Sequence, residues 1–397
     1  MPATLDDLVR TGPGTLAGGY LRLFWQPLMR SEDLPSGRAQ PVRLMSEDFT
    51  VYRGMSGEAF VVAPRCAHRK TLLHTGRVID DTIRCLYHGW QYNGTGQCVY
   101  QPAERESFTQ ATKIAAYPTT EWAGLIWAYI GPGNPPPMFN HPDFDRPGLI
   151  SVGPPEVWPC NLWNRLDNGP DLMHVVYTHE ETLAREYGIN DQFKHVPELN
   201  AVETEFGVES TVKTPREASY FHFLMPFTNA IAARSSRLEG VRDGTKVWAY
   251  EMFIRTAIDD ENSRSFHVSL VDVHGEDAQR YIEERDRVRR ELDPNAVIEA
   301  NAQAVLDGRM PIQDMDRRLT SYYSFLVEDY ACQVGQGPIA DREGERLGSI
   351  DKGTALLRKL WLRELTALAE GKPLKQWVIP AGLADRTEPQ PSLRVAR

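Results

Sequence analysis

The sequence predicts an α+β fold: a small all-β domain followed by a larger domain built from an antiparallel sheet and helices. Three observations predict it. From Val42 to about Gly131 the chain runs as short strands separated by turn chemistry, as in VRLMSEDFTVYRG, EAFVVAPRC and TIRCLYHGWQY, with Asn93-Gly94-Thr95-Gly96 as a hairpin signal and LIWAYIGP as a closing strand. The stretch GPGNPPPMFNHPDFDRP then concentrates proline and glycine where neither helix nor sheet fits, and reads as a stiff linker. Beyond it, VETEFGVESTVKT, SYFHFLMPFTNAIA, KVWAYEMFIRTAI and SRSFHVSLVDV read as strands lining a cavity. AQRYIEERDRVRREL and GTALLRKLWLRELTALAEG have helical apolar spacing, the second ended by Gly371. The expected divisions are 1–40, an N-terminal segment whose Leu-Phe-Trp cluster docks on the larger domain; 41–135, the β domain; 136–150, the linker; and 151–397, the larger domain.

Composition narrows the partners. A chain of 397 residues with ordinary apolar content can bury more than one core. The net charge of −10 and the lack of a basic block argue against nucleic acid. No run of eighteen apolar residues exists and MPATLDDLVRTGPG has no apolar signal core, so a soluble, cytoplasmic protein without a membrane partner is expected. Five cysteines make no disulfide framework in a chain this long. Cys98, Cys160 and Cys332 read as buried small apolar residues.

Cys66-Ala67-His68 and Cys85-Leu86-Tyr87-His88 carry the sharpest chemical signal. Each pair sets one thiolate and one imidazole on a loop. Zinc-finger spacing groups Cys with Cys and His with His, whereas here they alternate within each pair. A [2Fe–2S] cluster with two Cys on its inner iron and two His on its outer iron needs this arrangement. Gly76 and Gly89 let the backbone turn tightly beside sulfur. CAHRKTLLHTG and CLYHGWQY therefore resemble a Rieske protein.

A second metal signal lies in DNGPDLMHVVYTH, where Asp171, His174 and His179 stand at D-x2-H-x4-H after a helix start at Gly169-Pro170-Asp171. Asp171 and His174 share a helix face. His174 and His179 stand about 140° apart round a helix axis, so both reach one ion only off the helix end or where the last turn loosens. Two His and a distant carboxylate make the facial triad of mononuclear non-haem Fe(II). Spacing does not choose the carboxylate among 54 acidic residues.

The chain as a whole is similar to the oxygenase (alpha) subunit of Rieske non-haem iron aromatic ring-hydroxylating oxygenases, in particular the phthalate-dioxygenase-like group. TGPGTLAGGYLRLFWQP, both Cys-His loops, CNLWNRLDNGPDLMH and EDYACQVGQGPIADREGERLGSIDKG carry the resemblance. It implies a helix-grip larger domain, His174, His179 and Asp329 as iron ligands, and Cys66, His68, Cys85 and His88 as cluster ligands. Asp171 matches the carboxylate that links a cluster histidine of one subunit to an iron-bound histidine of the next, here His88 and His174, which implies a homotrimer or a dimer of trimers. Leu162 separates Asn161 from Trp163, Asp167 stands where Glu is common, and Ala67 where Pro is usual, so the pocket departs from the family pattern.

The resemblance implies a terminal oxygenase of aromatic hydrocarbon catabolism. It takes electrons from NAD(P)H through a flavin and iron–sulfur reductase or a ferredoxin, and uses O2 to cis-dihydroxylate a small aromatic substrate, often a carboxylate. Two alternatives stand beside it: a monooxygenase that dealkylates an aryl ether or amine, and a Rieske electron carrier without oxygen chemistry. Arg65, Arg69 and Lys70 could steer an acidic reductase, or form a solvated loop face. Leu172, Val175, Val176, Phe221, Phe223, Leu224, Phe227 and Asn229 are the expected apolar pocket, with Arg165, Arg234 and Arg237 as candidates for a substrate carboxylate. His195, His222, His267 and His274 read as structural or surface residues.

Overall fold

The computed structural model describes residues 2–187, 198–213, 218–235, 247–291, 293–315, 319 and 321–386. The chain divides into two compact units, residues 10–139 with 256–259, and residues 1–9, 140–255 and 260–397.

The first unit is all-β at its centre. Gln26–Arg30 pairs antiparallel with Leu125–Ala128, which pairs with Thr119–Trp122. Ala39–Leu44, Glu47–Arg53, Ala59–Val62 and Ala116–Tyr117 form a second sheet, and Arg77–Ile79, Thr82–Arg84, Gln91–Asn93 and Cys98–Tyr100 a third. The turn between the first two strands of the second sheet puts Met45 and Ser46 at φ 47° and 65°, the pair of left-handed residues that a two-residue hairpin requires. At the expected 93–96 hairpin the Asn93 side chain closes the turn, its Oδ1 accepting from the Thr95 and Gln97 N–H groups, both at 3.1 Å, and Gly96 takes the left-handed position.

The expected first boundary is corrected here. Residues 10–40 belong to this unit, and only residues 1–9 group with the larger one. The reason is backbone pairing: QPLMR is buried over its first four residues and hydrogen-bonds to Leu125–Ala128. The Pro-rich stretch is also divided. Phe139 lies against Trp122 and Trp127, at 5.5 and 6.0 Å, and closes the first unit. Asn140 opens the second, where the buried Asp143 carboxylate accepts the N–H groups of Gly382 and Ala384 at 2.7 and 2.8 Å.

The second unit is an eight-stranded sheet with helices. Its order is Leu149–Val152, Ser263–Val271, Val247–Ala257, Thr228–Ser235, Ala218–Leu224, Gly207–Lys213 and Glu198–Glu203, with Glu156–Trp158 also pairing to Ser263–Val271. The first two strand-like runs of the sequence resolve into hairpins, turning between Glu203 and Gly207 and at the cis Met225–Pro226 bond. Register places Phe223 opposite Asn229 and Asn229 opposite Phe253. By the two-residue period of a strand, Phe221, Phe227, Glu251 and Arg255 share that face, and Leu224 points to the other. Leu224 is thereby removed from the expected pocket.

Helix Lys352–Ala369 ends as expected, with Gly371 left-handed at φ +65° and its N–H on the Leu368 carbonyl. Two helices were not legible, Pro294–Leu306 and Ser321–Val334; their Ile298, Ala302, Tyr323, Leu326, Val327 and Tyr330 pack with Trp158 and Cys160 in one core. Cys98 and Cys160 are buried as expected, but Cys332 is exposed, because it stands on the outward face of Ser321–Val334. Among the described residues no helix is long and apolar enough to cross a membrane.

Candidate metal centres

The two Cys-His loops adopt the same backbone conformation. The N–H of Cys66 donates to the Thr71 carbonyl and that of Cys85 to the Trp90 carbonyl, five residues on in each case, at 2.9 and 2.8 Å. Each cysteine carbonyl accepts from the residue four places on, Lys70 or Gly89, and both of these are left-handed, at φ 61° and 75°. Gly89 therefore fits without strain, while Lys70 takes a conformation that costs a non-glycine residue on the order of 1 kcal/mol. Gly76 works differently: a Cβ there would meet the Arg84 carbonyl oxygen at 2.1 Å, so it permits a close backbone approach.

This matched geometry buries Cys66 and Cys85 and leaves His68 exposed and His88 half-buried. The two imidazoles lie edge to face with centroids 4.6 Å apart, and His68 stacks on Trp90 at 4.7 Å. The donor set fits a cluster with an inner thiolate pair and an outer imidazole pair. Tyr92 accepts the Ala67 N–H at 3.1 Å, which leaves its O–H to donate to Cys66 Sγ at 3.2 Å. Burial pushes the Cys85 thiol above its ordinary value and Cys66 adds to the shift, the energetics of two thiols held close together for a metal to deprotonate. Of the basic set beside the first loop, Arg69 lies over the Tyr87 ring at 5.2 Å and Arg65 donates to the Lys70 carbonyl.

In the second unit the structure brings His174, His179 and Asp329 together, one ligand atom from each lying within 4.8 Å of the others. The geometric obstacle posed by five-residue spacing is resolved as anticipated: the helix Met173–Tyr177 stops, Thr178 and His179 form a turn, and Glu180–Tyr187 begins afresh. His174 Nε2 and His179 Nε2 stand 3.9 and 3.7 Å from Asp329 Oδ1. Asp329 comes from helix Ser321–Val334 and is held further by Asn168 Nδ2 at 3.3 Å and Gln333 Nε2 at 3.2 Å. Burial alone would raise the Asp329 carboxyl, but His179 and His174, then Arg255 and Arg165, outweigh it and hold it below the usual carboxylate range. Burial also drives His174 downward, toward the neutral imidazole that a metal binds. Two imidazoles and one carboxylate converging on one place are the donor set of a mononuclear non-haem iron site.

Asp171 does not pair side chain to side chain with His174. Its Oδ1 accepts the N–H groups of Met173 and His174, at 3.0 and 3.3 Å, and His174 Nδ1 bonds instead to the Asp171 carbonyl. The expected helix start shifts with it: Pro170 lies in the preceding turn and the helix opens at Met173.

The family model for the Rieske [2Fe-2S] domain matches residues 24–118. The 5,5'-dehydrodivanillate O-demethylase oxygenase subunit of Sphingobium sp. strain SYK-6 is 28% identical over 93% of this chain and 81% of its own length. The phthalate 4,5-dioxygenase oxygenase subunit of Pseudomonas putida is 27% identical over 89% of this chain and 84% of its own. The chain carries a Rieske [2Fe-2S] domain and is similar along most of its length to oxygenase subunits. Solved structures agree at the level of fold: Pseudomonas putida CBB5 NdmA covers 89% of this chain and 93% of its own with a TM-score of 0.61 at 20% identity, and dicamba monooxygenase bound to dicamba covers 88% and 99% with 0.60 at 18%.

Several residues around the triad escaped the sequence reading. Glu328 is buried, accepts from Thr182 Oγ1 at 2.8 Å and meets His179 Nδ1 at 2.8 Å, so it orients the ring and directs Nε2 inward. Two adjacent acids in EDY were its only trace. Arg255 lies on the sheet face beside the triad; a charge in the apolar strand VWAYEMFIRTA was its signal. Of the expected pocket residues, Leu172, Phe223, Phe227 and Asn229 are buried and Val175 and Val176 half-buried. Arg165 is already committed, ion-paired with Glu156 and stacked on Trp158 at 3.7 Å. Arg237, His195 and the side chain of Arg234 lie outside the described residues. His222 and His267 are buried against Glu209 and Glu251, and His274 is exposed beside Asp272.

Proposed function

We propose that this chain is the terminal oxygenase of a multicomponent system that uses O2 and NAD(P)H-derived electrons, delivered by a reductase or ferredoxin, to hydroxylate an aromatic substrate. The convergence of His174, His179 and Asp329 carries the reading. Fe(II) at that triad would supply dioxygen binding and activation, and a [2Fe–2S] cluster on Cys66, His68, Cys85 and His88 a stored electron.

The protein's part is to hold and orient. Cys66 and Cys85 keep their thiols out of water, while His68 and His88 present imidazole edges where an electron donor can approach. The Asp171 carbonyl and the Glu328 carboxylate fix the rings of His174 and His179 with Nε2 toward Asp329. Asn168 and Gln333 occupy Asp329 Oδ1. Phe223 and Phe253, on either side of Asn229 on the strand face, offer flat surfaces for an aromatic ring. Asp171, clamped by the Met173 and His174 N–H groups, is in this reading the link to His88 of a neighbouring copy in a homotrimer or dimer of trimers. Changing Asp171 to Asn then leaves both metal sites loaded and the cluster reducible, while product formation falls.

Cis-dihydroxylation is the first reaction to test. O-demethylation is the second reading, favoured by the name of the relative that matches 93% of the chain. Turnover of aromatic acids and aryl ethers with a surrogate reductase under labelled dioxygen separates them: a cis-diol carrying both labelled atoms supports the first, and formaldehyde release the second. Oxygen uptake that survives His174→Ala sinks both and favours a plain electron carrier.

A further inference from the structure

Four arginines are buried among the described residues: Arg165, Arg255, Arg342 and Arg358. Arg165 pairs with Glu156, Arg342 with Asp167, and Arg358 with both Asp167 and Glu345. Arg255 differs. Among the described residues no carboxylate lies within ion-pair distance of it, and its one side-chain hydrogen bond runs from Nη1 to Asn229 Oδ1 at 3.0 Å; its buried Nε has no partner, as is also true of Nε and Nη1 of Arg165 and Nε of Arg342, so the missing carboxylate is what sets it apart. A desolvated charge without a counter-charge is destabilising, and an anionic ligand would supply the missing counter-charge.

Its place says which ligand. Asn229 packs so closely on the turn that carries Asn168 that a Cβ on Gly169 would meet its side-chain amide at 2.1 Å. Asn168 in turn lies 3.3 Å from both His174 Nε2 and Asp329 Oδ1. Arg255 is thus joined to the triad through Asn229 and that turn, on the face that bears Phe223 and Phe253. The two acids whose fields reach it, Asp329 and Glu156, are engaged by the triad histidines and by Arg165. Burial pulls the guanidinium down to about 10, which leaves it charged at neutral pH. A divalent cation at the triad makes the surroundings more positive still.

We propose that Arg255, steadied by Asn229, is the specificity-determining anchor for an anionic group, a carboxylate borne by the aromatic substrate. The proposal deepens the oxygenase reading and rests on it. It takes the role from Arg165, whose charge is already neutralised.

The test uses the full-length holoprotein and its R255Q variant, titrated calorimetrically with benzoate, 3-chlorobenzoate and phenoxyacetate, each beside its neutral amide. The wild type is expected to prefer each acid by about tenfold to a hundredfold, as for a charged hydrogen bond. R255Q should bind acid and amide alike, with amide affinity unchanged and a ligand-free Tm equal to or above the wild type's. The proposal is overturned if the wild type binds no acid better than its amide, or if folded R255Q keeps the preference. It is also overturned if R255Q loses Tm and all binding together, the mark of a structural arginine. Oxygen uptake is followed in parallel. An acid preference without uptake sinks the oxygenase reading alone; uptake on a neutral aryl ether that ignores R255Q sinks the anchor alone.

Discussion

Replacing Glu328 by Ala removes a buried carboxylate that touches no metal in the proposed arrangement yet governs one of its ligands. The carboxylate meets His179 Nδ1 at 2.8 Å and accepts from Thr182 at 2.8 Å, so the side chain is held at both oxygens. Without it His179 is free to turn, and the tautomer that leaves Nε2 available loses its stabilisation. Losing such a partner costs about 10- to 100-fold in metal affinity, or ~1.4–2.7 kcal/mol. Glu328→Gln keeps an oxygen for the Nδ1–H but makes a neutral bond of the charge-assisted one, about half as strong. Its loss should be roughly fivefold. Competition between the protein and a chelator for Fe(II) or Co(II) reads both numbers without turnover. Wild-type affinity in Glu328→Ala would refute the idea that this carboxylate orients His179, and equal losses in the two variants would refute the role of its charge.

Further outcomes follow from other contacts. Tyr92→Phe deletes the O–H donor to Cys66 Sγ, so the cluster's reduced form loses a hydrogen bond and the potential should fall by roughly 20–60 mV in voltammetry; an unchanged potential would contradict the assigned donor. His141, hydrogen-bonded to Tyr250 at 2.8 Å, is lowered to about 4, first by burial. A depressed histidine leaves stability intact above its unfolded value of about 6.5, and stability declines as pH falls from there to about 4, by about 3 kcal/mol in all. His141→Gln should flatten that part of the urea-denaturation profile, and an unaltered slope would show that other groups set it.

Much of this was legible beforehand because metal chemistry constrains sequence locally. Cys66, His68, Cys85 and His88 are close in the chain, and the alternation of thiolate and imidazole favours a cluster over zinc-finger spacing. His174 and His179 were likewise readable, and their five-residue spacing demanded the broken turn found at Thr178. What escaped depends on contacts between distant residues. Glu328 meets His179 across 149 positions, and only its place beside Asp329 sets it apart in the sequence from other acids. Arg255 looked like one more strand residue, since only the pairing of the other buried arginines reveals that it lacks a carboxylate. Helix Ser321–Val334 was hidden because it is buried on several sides, which blurs a 3.6-residue pattern, and Pro294–Leu306 because it buries only Ile298 and Ala302 among its described residues. The strand Gln26–Arg30 was missed because its partners come about a hundred residues later, and a strand's value is decided by its neighbours.

Metal and sulfide analysis of the purified chain tests the central claim most directly. Two separate centres predict about three irons and two inorganic sulfides per chain. In His174→Ala and Asp329→Ala the iron should fall to about two with both sulfides and the cluster's visible spectrum retained. Stoichiometric zinc, or an iron count in those variants that matches the unaltered protein, would contradict it.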